Sequence, residues 1–494
     1  MLPHPWHGTV LVIGAGASGL AAAALLLPLA AEVRVYDRRP AAELPPGAVP
    51  FLGADTIPDA AVLGIDLMVL SPGVPPAPFL AARERLAPAA AVHGEMSLSL
   101  AVADELWGHL PTVLITGTNG KSTVTALTGA LLTAAGRRPF VGGNLGVPLA
   151  AAVLAGHLDP AAAPDCLVLE CSSFQLETFP GDPEEARHVD VAMILNLTPD
   201  HLDRYPSIED YAATKARALA GIAHHSPGVA HHSPGSPGVA HHSPGSPSVA
   251  HHSPGSPSVA LFDAGDPWTP FFARHVHADH VITIDADSSS AQSASIRGPG
   301  PGDTLVLPDG ETFPRAALRL AGRHNSKNAL FALTAARHLG ASPSACLAGL
   351  QSFVGLPHRM VHVRDLDDIA YYDDSKATNV ASVLASLGGF ERSFVLIAGG
   401  RAKGDDLAPL RDLLAAQGRA LVAIGESSEQ FFALAGGLVP AARASDMAEA
   451  VAHARRLARP GDAVVLSPAC ASYDWFKNYG ERGDVFAACV DALE

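Results

Sequence analysis

Short, wholly apolar runs separated by longer Ala/Leu-rich stretches dominate the chain. Between residues 10 and 105 the runs "TVLVIG", "EVRVYD" and "DLMVLSPG" alternate with helical patterns, which predicts strands of a parallel sheet covered by helices. The alternation restarts at "PTVLITGTNGKSTVTALTGALLTAAG", where a buried strand, a glycine-rich turn and a long helix follow one another, with further strands at "DCLVLE" and "VAMILNL". It restarts a third time after "QSFVGLPHRM", with strands at "SFVLIAGG", "ALVAIG" and "DAVVLSPA". Three α/β domains are expected, over residues 1–108, 109–355 and 356–494.

One segment breaks the pattern. Residues 224–260 hold one shortened and three full copies of a decapeptide, "HHSPGVA HHSPGSPGVA HHSPGSPSVA HHSPGSPSVA". Its prolines block helix and ladder pairing, and it offers little apolar area to offset chain entropy, so a disordered loop inserted in the middle domain is expected. Its paired histidines suit a transition metal, but a neutral repeat expansion in a tolerant loop is the preferred reading.

A length of 494 residues agrees with about three domains at roughly 100 to 200 residues each. The formal charge of −16, with no basic cluster to offset it, argues against nucleic acid or an anionic membrane as partner. Five cysteines without a C-x-x-C pair, and a start lacking a basic n-region, lead to the expectation of a cytoplasmic protein without a membrane span.

Two glycine-rich turns carry the candidate chemistry. Gly14, Gly16 and Gly19 stand at dinucleotide spacing behind the first strand, and Asp37 ends the next, which taken alone points to NAD. In the second turn, Gly117, Thr118, Asn119, Gly120, Lys121, Ser122 and Thr123 combine a nest of backbone N–H groups, a helix N-terminus, a full positive charge and hydroxyls for Mg²⁺. It is shorter than a Walker A loop: the first glycine lies three residues before Gly120, where five are usual.

That shortened loop resembles the nucleotide loop of the Mur ligase family. Further segments match in order: "GGNLG" (142–146), "LECSSFQLE" (169–177), "NLTPDHLDRY" (196–205), "YAATKAR" (211–217), "GRHNSKNAL" (322–330), "LPHRM" (356–360), "DDSKATN" (373–379) and "LSPACASYDWFKNYGERG" (466–483). The resemblance spans the chain apart from the insert. It implies an N-terminal Rossmann-like UDP-binding domain, a central P-loop ATPase-like domain with a parallel sheet and a C-terminal Rossmann-like domain that binds the amino acid. The last two segments and the "GAGASG" start are most similar to the branch that adds D-glutamate to UDP-N-acetylmuramoyl-L-alanine, through an acyl phosphate and a tetrahedral intermediate, as a monomer.

The same resemblance assigns residues. Gly16, Ala17, Ser18, Gly19, Asp37, Arg38, Ser71, Pro72, Gly73 and Asn144 would hold the UDP-sugar. The second loop, Asn325, Asn328, Arg359 and Asp374 would hold ATP, with the two asparagines on adenine. Two Mg²⁺ ions would sit on Ser122, Glu170, His201 and Lys215, the lysine as a carbamate. Lys121, Asn144, His201, Lys215 and Arg359 form the implied catalytic set. Thr378, Lys376, Lys403, Ser472 and Tyr479 would hold D-glutamate; Tyr479 stands where the family commonly has Phe, and Leu407 where an aromatic is common. With nucleotide on the middle domain and amino acid on the third, the resemblance also implies closure on substrate. Another Mur ligase or folylpolyglutamate synthase is the alternative within the class. An NAD-dependent oxidoreductase would account for the first 105 residues alone, and a His-rich metal carrier for the insert alone.

Overall fold

The first apolar run, Thr9–Ile13, becomes a strand whose last four residues are buried, because a parallel strand covered on both faces has no solvent side. It is β1 of a five-stranded parallel sheet with β2 (Glu32–Asp37), β3 (Val49–Leu52), β4 (Leu67–Leu70) and β5 (Ala91–Gly94), in the order β3-β2-β1-β4-β5. The order reverses beside β1, so the loops after β1 and β4 frame the crevice where such sheets bind ligands. The computed structural model describes residues 4–181, 186–201, 204–222, 258–276, 281–286, 294–297, 302–320, 322–388, 390, 392–402 and 404–494.

A second parallel sheet holds β6 (Thr112–Thr116), β7 (Pro139–Gly143), β8 (Cys166–Glu170), β9 (Val191–Ile194), β10 (Val259–Asp263) and β11 (Val281–Ile284), in the order β11-β10-β9-β6-β8-β7. The chain turns both ways from β6, which places the second glycine loop at another switch point. A small antiparallel sheet of β12 (Ser295–Arg297), β13 (Thr304–Val306) and β14 (Thr312–Pro314) follows, which the hydrophobic pattern does not predict.

The last sheet has β15 (Val361–Leu366), β16 (Ile369–Asp373), β17 (Phe394–Gly399), β18 (Gly418–Ile424), β19 (Ala441–Arg443) and β20 (Ala463–Leu466), in the order β15-β16-β20-β17-β18-β19. Only the β15–β16 pair is antiparallel. All nine expected strands are present, and the fold class is α/β with several parallel sheets.

The chain forms two compact units, Met1–Ala317 with Lys327–Phe353, and Leu318–Ser326 with Val354–Glu494. The first unit contains both of the first two sheets, because a single apolar core runs from Trp6 through Met96 and Val153 to Phe272. Helix Glu95–Trp107 packs on helix Leu149–Leu158 across the expected joint near residue 108. The short piece Leu318–Ser326, expected in the middle domain, groups with the second unit.

The expectation of disorder for the insert falls almost wholly outside the described residues. Its last three residues, Ser258, Val259 and Ala260, are different: all are buried, and the last two form β10 with "LFD". Among the described residues, no helix is long and apolar enough to cross a membrane.

Candidate functional site

The loop after β6 takes its shape from two glycines and one asparagine. Gly117 has φ +148° and Gly120, which caps helix Lys121–Ala134, has φ +84°; a Cβ on Gly120 would lie 2.8 Å from Asn328 Oδ1. Asn328 therefore sits against the second glycine loop. Asn196, just beyond β9, accepts from Thr118 N at 3.1 Å and Asn119 N at 2.8 Å through Oδ1, and donates Nδ2 to Asn119 O at 3.0 Å. Thr118 also exchanges hydrogen bonds with Thr198. Lys121 Nζ donates to Gly117 O at 3.0 Å and Thr118 O at 2.8 Å, so its charge lies over the loop, while Ser122 is buried in the first helical turn.

Glu170 ends β8 opposite Ile115 of β6, which sets its carboxylate at the same sheet edge as the loop. It is 2% exposed; Oε1 accepts from Asn144 Nδ2 at 2.7 Å, and its backbone oxygen accepts from Asn144 N at 2.9 Å. Oε2 is buried with no hydrogen-bond partner. An ionised, buried oxygen without a donor is costly unless a cation meets it, and a hard carboxylate oxygen is what Mg²⁺ selects. The residues present thus fit the implied metal. His201 lies on the turn after β9 with φ +54°, its ring 4.8 Å from Phe174 and 6.3 Å from Tyr211, and Nε2 3.6 Å from Asp200.

Lys215 is the most unusual group. It lies on helix Ile208–Ala216, 1% exposed, with Nζ donating to Gly117 O at 3.0 Å and Thr116 Oγ1 at 3.4 Å and standing 4.6 Å from the Tyr211 ring centre. Burial, followed by the nearby charge of Lys121, holds its pKa well below the usual lysine value.

In the first sheet, Gly19 is required by contact: a Cβ there would come 1.8 Å from Gly14 O. Gly16 caps helix Ala17–Leu26 without a side chain, and Gly16 and Ala17 are exposed, so the first N–H groups face outward. Asp37 turns inward instead. It accepts from Ala15 N at 2.7 Å and from the Arg39 backbone and guanidinium, and Arg39 pulls its carboxyl below the usual carboxylate range. Arg39, not Arg38, is its partner, and Arg39 also donates to Ala15 O at 2.9 Å. Buried Ser71 donates to Gly14 O at 3.0 Å, with Pro72 and Gly73 following at the rim. Arg204 ties this rim to the central sheet through Val74 O at 3.0 Å, Gly73 O at 3.2 Å and Glu177 at 2.6 Å.

In the second unit, the loops after β16 and β20 meet. Lys376 Nζ lies 3.8 Å from the Tyr479 ring centre, and Arg482, 1% exposed, donates to Ser375 Oγ, Ser375 O and Cys470 O at 2.9, 2.8 and 3.1 Å. Ser472 is buried and Thr378 precedes helix Val380–Leu387. Asp374 is buried with its oxygens on Ser467 Oγ (2.7 Å) and Met360 N (3.2 Å), which anchors the turn carrying Arg359; burial pushes its pKa up to about 7. Asn325 belongs to this unit by its position and Lys403 lies outside the described residues. Asn196, Arg39, Arg204 and Arg482 are the positioning residues that the motifs alone do not single out.

Residues 115–233 match the Mur ligase middle domain and residues 358–470 the Mur ligase, glutamate ligase domain. In fold, the chain is similar to a UDP-N-acetylmuramate-alanine ligase from Thermotoga maritima, at TM-score 0.54 and 15% identity over 99% of this chain and 100% of that one. The chain belongs to the Mur ligase family. Within it, the chain is 42% identical to the UDP-N-acetylmuramoylalanine–D-glutamate ligase of Anaeromyxobacter dehalogenans, over 97% of this chain and 96% of the relative. It is 39% identical to the ligase of the same name from Aromatoleum aromaticum, over 98% and 97%.

Proposed function

We propose that this chain joins D-glutamate to UDP-N-acetylmuramoyl-L-alanine, converting ATP to ADP and phosphate, in cytoplasmic synthesis of peptidoglycan precursors. The full-length identity to ligases of that name carries the reading. Supporting it, the shortened phosphate loop, Glu170 with one unpartnered buried oxygen and the buried Lys215 all stand at the C-terminal edge of one sheet. The five unpaired cysteines fit a reducing compartment.

A carboxylate is a poor electrophile, so the γ-phosphoryl group moves first onto the substrate carboxylate. The amine of D-glutamate then attacks the acyl phosphate, and phosphate leaves from the tetrahedral intermediate. The loop N–H groups and Lys121 hold the ATP phosphates, in an arrangement that Asn196 keeps rigid. Glu170, Ser122 and His201 would hold Mg²⁺, which when bound supplies positive charge against the converging phosphates. Asn144 fixes Glu170 in place. Lys215 as neutral amine adds CO₂ and releases one proton, giving a carbamate anion that would support the second ion. The helix N-terminus at Gly16 to Gly19 receives the UDP diphosphate, and Lys376, Thr378, Ser472 and Tyr479 receive D-glutamate, with Arg359 as the cation that the second unit contributes.

The test is an amino-acid screen for phosphate release with UDP-N-acetylmuramoyl-L-alanine, ATP and Mg²⁺. Release stimulated by D-glutamate and by no other amino acid is the expected result; no stimulation by D-glutamate refutes the reading.

A further inference from the structure

At the edge of the central sheet opposite the phosphate loop, three residues that play no part in the ligase chemistry converge. His109 precedes β6, and His188 and Asp190 precede β9. His109 Nε2 is 3.1 Å from Asp190 Oδ2, His188 Nε2 is 3.8 Å from Asp190 Oδ1, and one ligand atom from each lies within 4.8 Å of the others. The β6 strand between this edge and the phosphate loop has five residues, so the two places are about 17 Å apart at roughly 3.3 Å per residue.

The surroundings suit a cation. Asp190 is buried, and Thr112 N donates to its Oδ2 at 2.8 Å. Burial opposes its charge, but hydrogen bonds from His109, His188 and Thr112 prevail and hold the carboxyl below its usual range. Ser258 Oγ lies 3.4 Å from His188 Nδ1, which leaves Nε2 toward the cluster, the orientation that a hydrogen bond on the other ring nitrogen gives to ligating histidines. Arg187, the nearest cation in sequence, is turned onto Asp104 at 2.5 and 2.7 Å. The His109 and His188 side chains are 40% and 24% exposed, which gives an ion a path in and room for a water.

We propose that His109, His188 and Asp190 form a site for one transition-metal ion of the zinc class, clasping the entries of β6 and β9. Two imidazoles, one carboxylate and a water make a four-coordinate set, and ligand atoms about 3.3 Å apart around a centre with bonds near 2.0 Å need only small side-chain rotations from the observed spacing. The site is separate from the Mg²⁺ residues in place and in ligand type.

The repeat histidines would bind the same metals, so the test must remove them. Zn²⁺ uptake at micromolar free metal, with millimolar Mg²⁺ throughout, is measured by equilibrium dialysis on the full chain, on a chain lacking residues 224–256, and on that shortened chain carrying His109→Gln or His188→Gln. The shortened chain is expected to keep one Zn²⁺ and to melt at a higher temperature with it. Each substitution should weaken binding at least about tenfold, the lower end for disturbing a metal's ligand shell. Co²⁺ in place of Zn²⁺ should give visible ligand-field bands that the variants lose. No Zn²⁺ in the shortened chain, or equal binding in the His109→Gln chain, overturns the proposal. The half-exposed position of His109 keeps that variant decisive if His188→Gln fails to fold.

Discussion

Lys215 shows how little a single letter says before the chain is folded. In "YAATKAR" it has the pattern of a solvated helix lysine, and only the family resemblance singles it out. The fold supplies the physical reason: the amine is 1% exposed, near a second cation, with its pKa well below the usual lysine range. A neutral amine is what CO₂ requires. Lys215→Ala should lower phosphate release about 10- to 100-fold, the scale on which metal sites respond to loss of a supporting group. Added formate or acetate should restore part of it, and full activity without supplement would sink the carbamate. Asp37 gives the opposite lesson. Its place in the motif was plain in the sequence, but not that its carboxylate would accept from Ala15 N and Arg39 and so shape the turn as well. A substrate contact and a positioning contact look the same in a motif, because spacing along the chain does not say which way a side chain turns.

At the scale of elements, buried parallel strands were legible because each is a continuous apolar run. Edge strands were not: Val49–Leu52 carries a proline and lies on the rim, so no run of buried residues marks it. The β15–β16 hairpin was legible in principle. Asp367 and Asp368 both have positive φ, 54° and 60°, which is the two-residue turn chemistry that joins alternating strands. Helix packing was invisible, and it holds a titratable group. Glu95, at the start of helix Glu95–Trp107, accepts from Ala150 N at 2.8 Å at the head of the facing helix, and burial pushes its pKa up to about 7. Because its folded pKa is raised, its charge costs nothing below about pH 4, and the cost grows as pH rises and is complete above about pH 7. Glu95→Gln keeps the acceptor and removes the charge. The variant should match the parent in unfolding free energy near pH 4 and exceed it increasingly up to pH 8, by about 3 kcal/mol at most. A difference that does not change with pH would refute the argument.

At the scale of the whole molecule, the repeat insert begins and ends on neighbouring residues. Gly221 O accepts from Val189 N at 3.2 Å, and Val259 N donates to Asp190 O at 2.9 Å. The fold therefore closes at that point whatever the length between, and loop closure changes by only about 0.6 kcal/mol per doubling of length. A chain with residues 224–256 replaced by a short Gly/Ser link should release phosphate at the wild-type rate within about twofold and melt no lower. Loss of D-glutamate-dependent activity would show that the repeat takes part in the reaction. Arg204 acts across a longer distance. It joins the rim at Gly73 and Val74 to the same turn that carries His201, and the core beneath runs unbroken from Trp6 to Phe272. On the proposed reading, the span from diphosphate cradle to phosphate loop is then a fixed gauge. A nucleotide sugar one methylene too long would then have to buckle to reach both ends, because the hydrogen bonds of Arg204 hold the two rims together.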